Sequence, residues 1–168
     1  EALQAVAVAQ DRFERVSIDL IYARPGQSEA DWHAELARAL SLGTTHMSLY
    51  QLTIEPSTRF ATDVRQGVFE PLDDDNAADL FALTRAMTAA AGLPAYEISN
   101  HAAPGQESRH NLTYWRYQDY LGVGPGAHGR RCETATVRHR KPENYLAAVA
   151  AQRHGVAEAR ALERAEQA

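Results

Sequence analysis

The chain has 168 residues, with 17 Lys+Arg against 22 Asp+Glu for a formal charge of −5, and it is 45% hydrophobic; this suits one globular domain and excludes a disordered or highly basic chain. The acid excess supplies no broad field for nucleic acid, so no nucleic-acid partner is expected, and Arg130, Arg131, Arg138, Arg140 and Lys141 read as a solvated loop. No apolar run approaches the ~20 residues of a membrane span, and the single cysteine, Cys132, allows no internal disulfide and fits a reducing compartment, the cytoplasm.

Residues 2 to 13 read as a helix from the spacing of Leu3, Val6, Gln10 and Phe13. The chain opens inside that pattern and without Met, so both ends read as cuts. Val16 to Ala23 is a strand, with Val16, Ile18, Leu20 and Tyr22 on one face and Ser17, Asp19 and Ile21 on the other. Arg24-Pro25-Gly26-Gln27 breaks it. Ser28 then N-caps a helix, with Asp31 completing a capping box, Trp32, Leu36, Ala39 and Leu40 as the buried stripe, and Gly43 as the stop. His46 to Thr53 is the second strand, followed by a long loop from Ile54 to about Asp73. Asp73, Asp74 and Asp75 open a helix that runs to Ala91, because carboxylates favour the positive end of the helix dipole. Ala95 to Ser99 is a third strand. Residues 100 to 132 are rich in glycine, aromatics and histidine. Pro142 to Ala151 is a helix with Pro142 in its first turn, and the Ala/Glu/Arg tail from 155 is helix-prone.

Alternating strands and helices predict an α/β fold with mostly parallel strands. Ligands of such folds gather at the carboxyl ends of strands, which singles out Asp19, Arg24, Gln51 and Thr53. Asp19 lies mid-strand. If buried, its carboxylate needs a cation, several donors or a ligand's hydroxyls, so a ribose contact and a structural salt bridge both fit. Gly124, Gly126 and Gly129 spell G-x-G-x-x-G. No amphipathic helix follows, and no acid sits on a second strand about 20 residues on, so this is no dinucleotide fingerprint. Glycines admitting the backbone to a ligand or to another strand explain the run better. In His110-Asn111-Leu112-Thr113-Tyr114-Trp115 a helix would put His110 and Tyr114 on one face and Asn111 and Trp115 on the next. Two readings stay open for it: a site for a flat aromatic ligand with imidazole available to a metal, or an aromatic packing cluster.

Five segments in order carry a family likeness: Ser17 to Gln27, His46 to Glu55, Tyr96 to Ala102, His110 to Trp115 and Tyr120 to Gly129. Together they resemble the radical S-adenosylmethionine (SAM) family of HemW-type haem chaperones and oxygen-independent coproporphyrinogen III oxidases. The resemblance covers residues 1 to about 155. It implies the C-terminal part of a partial (β/α) barrel. The last βα units fall in 1–92, a glycine- and aromatic-rich extension in 93–155, and the truncated start of a further domain in 156–168. It implies SAM and a [4Fe–4S] cluster in the parent protein, the cluster held by three cysteines of a C-x-x-x-C-x-x-C motif that this sequence does not contain. It carries SAM contact to Asp19 and Thr53. It carries haem handling to His110, Asn111, Tyr114 and Trp115, with His110 as a possible iron ligand, His128 as its competitor and His101 behind both. Where the family commonly has Gly-Leu-Pro-Gly-Gln, Ala23 and Arg24 fill the first two places. The function implied is haem binding and delivery to acceptor proteins. The alternatives are oxidative decarboxylation of coproporphyrinogen III, and a piece with no activity of its own.

Overall fold

The computed structural model describes residues 1–163 and 166, and divides into two compact units, Glu1–Glu107 and Ser108–Ala168. The segment 156–168 assigned to a further domain lies partly outside the described residues.

The first unit begins with α1 (Ala2–Arg12), β1 (Ser17–Tyr22), α2 (Glu29–Leu40) and β2 (His46–Gln51), close to the bounds read from sequence. Ser28 caps α2: its Oγ accepts from Asp31 N at 3.1 Å, and its own N donates to Asp31 Oδ2 at 3.1 Å. Arg24-Pro25-Gly26-Gln27 is a tight turn closed by Gln27 N on Arg24 O at 3.0 Å, with Gly26 at φ +70° as the third position of a type II turn requires. Arg24, singled out as a strand-end residue, is spent on structure: its two Nη atoms grip Glu35 of α2 at 3.1 and 2.5 Å, and one also donates to Ile21 O. Ala23 carries φ +56°, a left-handed conformation that favours glycine.

Three expectations change. The loop from Ile54 to Asp73 contains a helix, α3 (Arg59–Arg65), capped by Thr58 and held by an Arg59–Asp63 ion pair one turn apart; its short polar composition gave no periodic stripe to read. The sheet is not mostly parallel. β1 and β2 pair in parallel, but β3 (Asn100–Ala102) runs antiparallel to β2. The third strand is therefore Asn100–Ala102 and not Ala95–Ser99. After α4 (Asp74–Ala90) and Gly92, residues 95–99 turn the chain back, with Tyr96 N on Asn100 O and Ala102 N on Pro94 O. Glu97 Oε1 fastens that turn by accepting from Ser99 N at 2.9 Å and from the Asn100 amide. The helix read from the spacing of Leu3, Val6, Gln10 and Phe13 forms as α1, with Leu3, Val8 and the C-cap Phe13 exposed and Val6 half-buried.

The core of this unit lies between one sheet face and α2 with α4. Trp32 and Leu36 of α2, Leu80 of α4, and Met47 and Leu49 of β2 are fully or almost fully buried together. Trp32 stacks on Tyr22 with ring centroids 5.1 Å apart, and burial pushes the Tyr22 phenol up to about 12. Polar groups in this layer are paired. Trp32 Nε1 donates to Thr84 Oγ1 at 2.8 Å, while Thr84 and Thr88 donate back to the Leu80 and Thr84 carbonyls.

His101 belongs to this core, being 1% exposed. Its Nδ1 lies 3.0 Å from Thr88 Oγ1. That hydroxyl already gives its proton to Thr84 O, so the ring is the donor. Burial, with Arg85 adding to it, drives the His101 pKa from 6.5 to about 4. The native state thus refuses a proton that the unfolded chain takes. This contribution to stability is complete above pH 6.5 and drains away as pH falls toward 4, by about 3 kcal/mol at ~1.4 kcal/mol per unit. The urea midpoint should fall over that window, and His101→Gln should flatten the fall. An equally steep fall in the variant would assign the pH dependence to other groups.

The second unit has α5 (Arg109–Trp115), an antiparallel sheet of β4 (His128–Arg131), β5 (Thr134–Arg138) and β6 (Val156–Ala161), and α6 (Pro142–Gln152) between β5 and β6. The tail from 155 is thus a strand through residue 161 and not a helix. Pairing along β5 overrides the helical propensity of its Ala, Glu and Arg residues. The glycine run leads into β4, with no helix after it. A Cβ on Gly122 would sit 2.1 Å from His128 O, and one on Gly129 would sit 2.8 Å from Thr136 Oγ1 and 3.0 Å from Gly122 N. These two glycines serve close strand approach. Cys132 and Glu133, at φ +49° and +60°, form the two-residue β4–β5 turn that usually takes Asn-Gly.

Candidate functional site

Two surfaces carry the residues singled out by sequence, one in each unit. In the first, cross-strand register aligns Asp19 of β1 with Ser48 of β2 and Asn100 of β3, and Ser17 with His46. Paired residues project to one face, so this face is polar while the other holds Ile18, Leu20, Met47 and Leu49. Asp19 is exposed rather than buried, because β1 is the outer strand of the three and its carboxylate has only Ser48 beside it across the ladder. Thr53 lies just beyond β2, exposed, with Oγ1 3.4 Å from Gln51 O.

The sequence reading assigned no role to the inner part of this face. His46 Nδ1 lies 2.7 Å from Ser17 Oγ, and its Nε2 lies 2.8 Å from the Tyr96 hydroxyl. Burial lowers the His46 pKa, with Asp19 and Glu97 opposing that and Arg15 reinforcing it. Asn100 is buried, its amide nitrogen goes to Glu97, and its Oδ1 has no hydrogen-bond partner among the described residues. An orphaned buried acceptor costs about 1–3 kcal/mol, and a ligand bringing N–H or O–H groups would relieve it. The available signal was the polar triplet Tyr96, Glu97 and Asn100 between Pro94 and Gly105.

The second surface is aromatic. The His110 and Tyr114 rings meet edge-on at 4.9 Å, one helical turn apart as the spacing predicts, and Tyr114 meets Tyr120 at 4.7 Å. All of α5 is at least partly exposed: His110, Tyr114 and Trp115 are exposed and Asn111 is half-buried. Tyr114, Trp115, Tyr117, Tyr120 and Arg130 line a cleft of about 380 Å³. Tyr120 and Arg130 also border a second cleft of about 760 Å³, and it is there that exposed His128 lies. His101, the third histidine considered, is in the core of the other unit and has no open face for a ligand.

The residues present can be set against the cofactors that the resemblance implies. Cys132 is a single exposed thiol, and no three His, Cys, Asp or Glu side chains converge on a metal site among the described residues. They do not fit a [4Fe–4S] cluster, which uses several thiolates. The row of Asp19, Ser48 and the unsatisfied Asn100 oxygen does fit a hydroxyl- or amine-bearing ligand such as SAM.

No family model matches the chain. It is 45% identical over 131 residues to bovine (Bos taurus) "Radical S-adenosyl methionine domain-containing protein 1, mitochondrial", covering 77% of this chain and 30% of that protein. It is 41% identical over 128 residues to the "Heme chaperone HemW" of Mycobacterium tuberculosis, covering 76% of this chain and 33% of that protein. Coproporphyrinogen III oxidase (HemN) from Escherichia coli, described as a radical SAM enzyme, superposes with a TM-score of 0.77 over 98% of this chain and 41% of that one, at 18% identity. That level of identity speaks for the fold alone. The chain spans about a third of the length of the curated relatives it matches.

Proposed function

The chain belongs to the HemW/HemN-like radical SAM family, and on that premise we propose that it serves a haem chaperone-like protein that binds haem and passes it to acceptor proteins. The observation that supports this reading is the solvent-facing array of His110, Tyr114, Trp115 and Tyr120. It offers an imidazole to iron and flat apolar rings to a macrocycle. Decarboxylation of coproporphyrinogen III rests on the sequence resemblance and on a match of fold. Within this reading residues 1–92 contribute the last βα units of the parent barrel, and the cytoplasm is its compartment. A haem titration of the full-length protein tests the reading. A saturable Soret band at stoichiometric haem is expected, and its absence would sink the proposal.

SAM, when bound with a reduced cluster, supplies radical chemistry. The described residues hold no cluster ligands. What this chain offers SAM is binding and orientation: Asp19 accepts ribose hydroxyls, and Thr53 lies beyond the end of the adjacent strand. Asp19→Asn in the full-length protein keeps the size and removes the charge that strengthens those bonds. Calorimetry should show SAM binding weakened by roughly tenfold, about 1.4 kcal/mol, a larger effect than that on the thermal midpoint, since asparagine keeps the size of the side chain. Equal SAM affinity would remove Asp19 from the site.

A further inference from the structure

The geometry points to a carboxylate anchor at Arg130, so that the aromatic cleft of the second unit takes a flat ring system bearing carboxylate groups; on the haem reading, on which this rests, the anchored group is a propionate. Three observations converge on it. The first is composition: a cleft walled by Tyr114, Trp115, Tyr117 and Tyr120 with one guanidinium is apolar, planar and positively charged at once. The second is the state of that guanidinium. Arg130 lies over the Tyr117 ring, 5.0 Å from its centroid, and donates from one Nη to the backbone carbonyl of Glu166. It forms no ion pair among the described residues. The nearby Glu166 carboxylate is bound by Arg160, with both Nη atoms at 2.7 Å, and is held down at about 2 chiefly by that bond, with Arg130 adding a weaker coulombic pull. Arg130 therefore keeps guanidinium N–H donors that no carboxylate among the described residues ion-pairs with, on the planar group that suits a carboxylate.

The third observation is strain. Tyr117 ends α5 in a Schellman arrangement, with Gln118 N on Thr113 O and Tyr117 N on Tyr114 O. The residue in that place adopts a left-handed backbone and is usually glycine; here it is tyrosine at φ +52°. Non-glycine residues resist that conformation. No burial offsets it, since Tyr117 is 57% exposed. The conformation holds the ring beneath Arg130 in the lining of the cleft, which leaves room beside them for a planar group.

The test uses metal-free protoporphyrin IX and its dimethyl ester, with binding read by porphyrin fluorescence. The free acid should bind the wild-type protein roughly tenfold tighter than the diester. Arg130→Gln should erase that preference by weakening the acid alone, and Arg130→Lys should restore part of it. Tyr117→Gly relaxes the backbone, so its thermal midpoint should hold or rise while both porphyrins bind more weakly. Equal affinity of the wild type for acid and diester overturns the inference, and needs no variant to fold. Unchanged porphyrin binding by Tyr117→Gly overturns the placement of the ligand in this cleft. Iron protoporphyrin separates the two proposals. Haem binding without an acid preference leaves the chaperone reading and removes the anchor. An acid preference for the metal-free ring in a protein that does not bind haem does the reverse. A protein that binds no porphyrin at all loses both.

Discussion

Trp32→Ala is expected to destabilise the first unit by about 3–5 kcal/mol, the range for deleting a buried aromatic ring. Against a total stability of roughly 5–15 kcal/mol, that removes about a fifth or more of what holds the unit folded. Trp32 is 0% exposed, stacks on Tyr22, and gives its indole N–H to Thr84 across the α2–α4 interface. Alanine would forfeit the stack and open a cavity against Leu36, Leu80 and Met47. The Thr84 hydroxyl would keep its own acceptor, the Leu80 carbonyl, and lose only its donor. Urea unfolding measures the effect. Trp32→Phe retains a ring on Tyr22 and should lose less than half as much. A shift below about 1 kcal/mol for Trp32→Ala, typical of surface positions, would mean that the interface is not packed as described.

His110→Ala in the haem-loaded full-length protein is expected to abolish or shift the Soret band and weaken haem by at least tenfold, about 1.4 kcal/mol. Far-ultraviolet circular dichroism should not change, because His110 is exposed and its ring contacts Tyr114 at the edge rather than supporting a core. His128→Ala is the necessary partner, since His128 lines the neighbouring cleft behind the shared wall of Tyr120 and Arg130. A spectrum altered only by His128→Ala moves the iron ligand to β4 and keeps the haem reading. A spectrum indifferent to both substitutions leaves α5 as a packing cluster.

Local signals proved readable where one residue type satisfies one local need. Ser28 and Asp31 form their capping box, Asp73 caps α4, Gly26 takes the third place of its turn, and Pro142 starts α6. The same held for the one-turn relation of His110 to Tyr114, because helical pitch fixes it. Strand direction was not readable. Nothing in Tyr96 to Ala102 states that the chain turns back on itself before pairing with β2; the Glu97 bonds that enforce it depend on the finished turn. The β6 strand was missed for a related reason, since Val156 to Ala161 has no strand character apart from the edge of β5 that it pairs with.

The sequence by itself determined the family, the two local motifs that hold the candidate ligand residues, and the separation of polar Asp19 from the apolar face of its strand. These are written in residue type and period, which are properties of the chain alone. Only the tertiary structure decided that Asp19 lies open on an outer strand, that His101 is sealed in the core while His110 and His128 face solvent, and that Asn100 is left short of a donor. It also brought Arg130 over Tyr117 from thirteen residues away. Exposure, pairing and charge balance arise from which distant segments cover a residue, and the energies that settle them exist only once the chain has closed on itself.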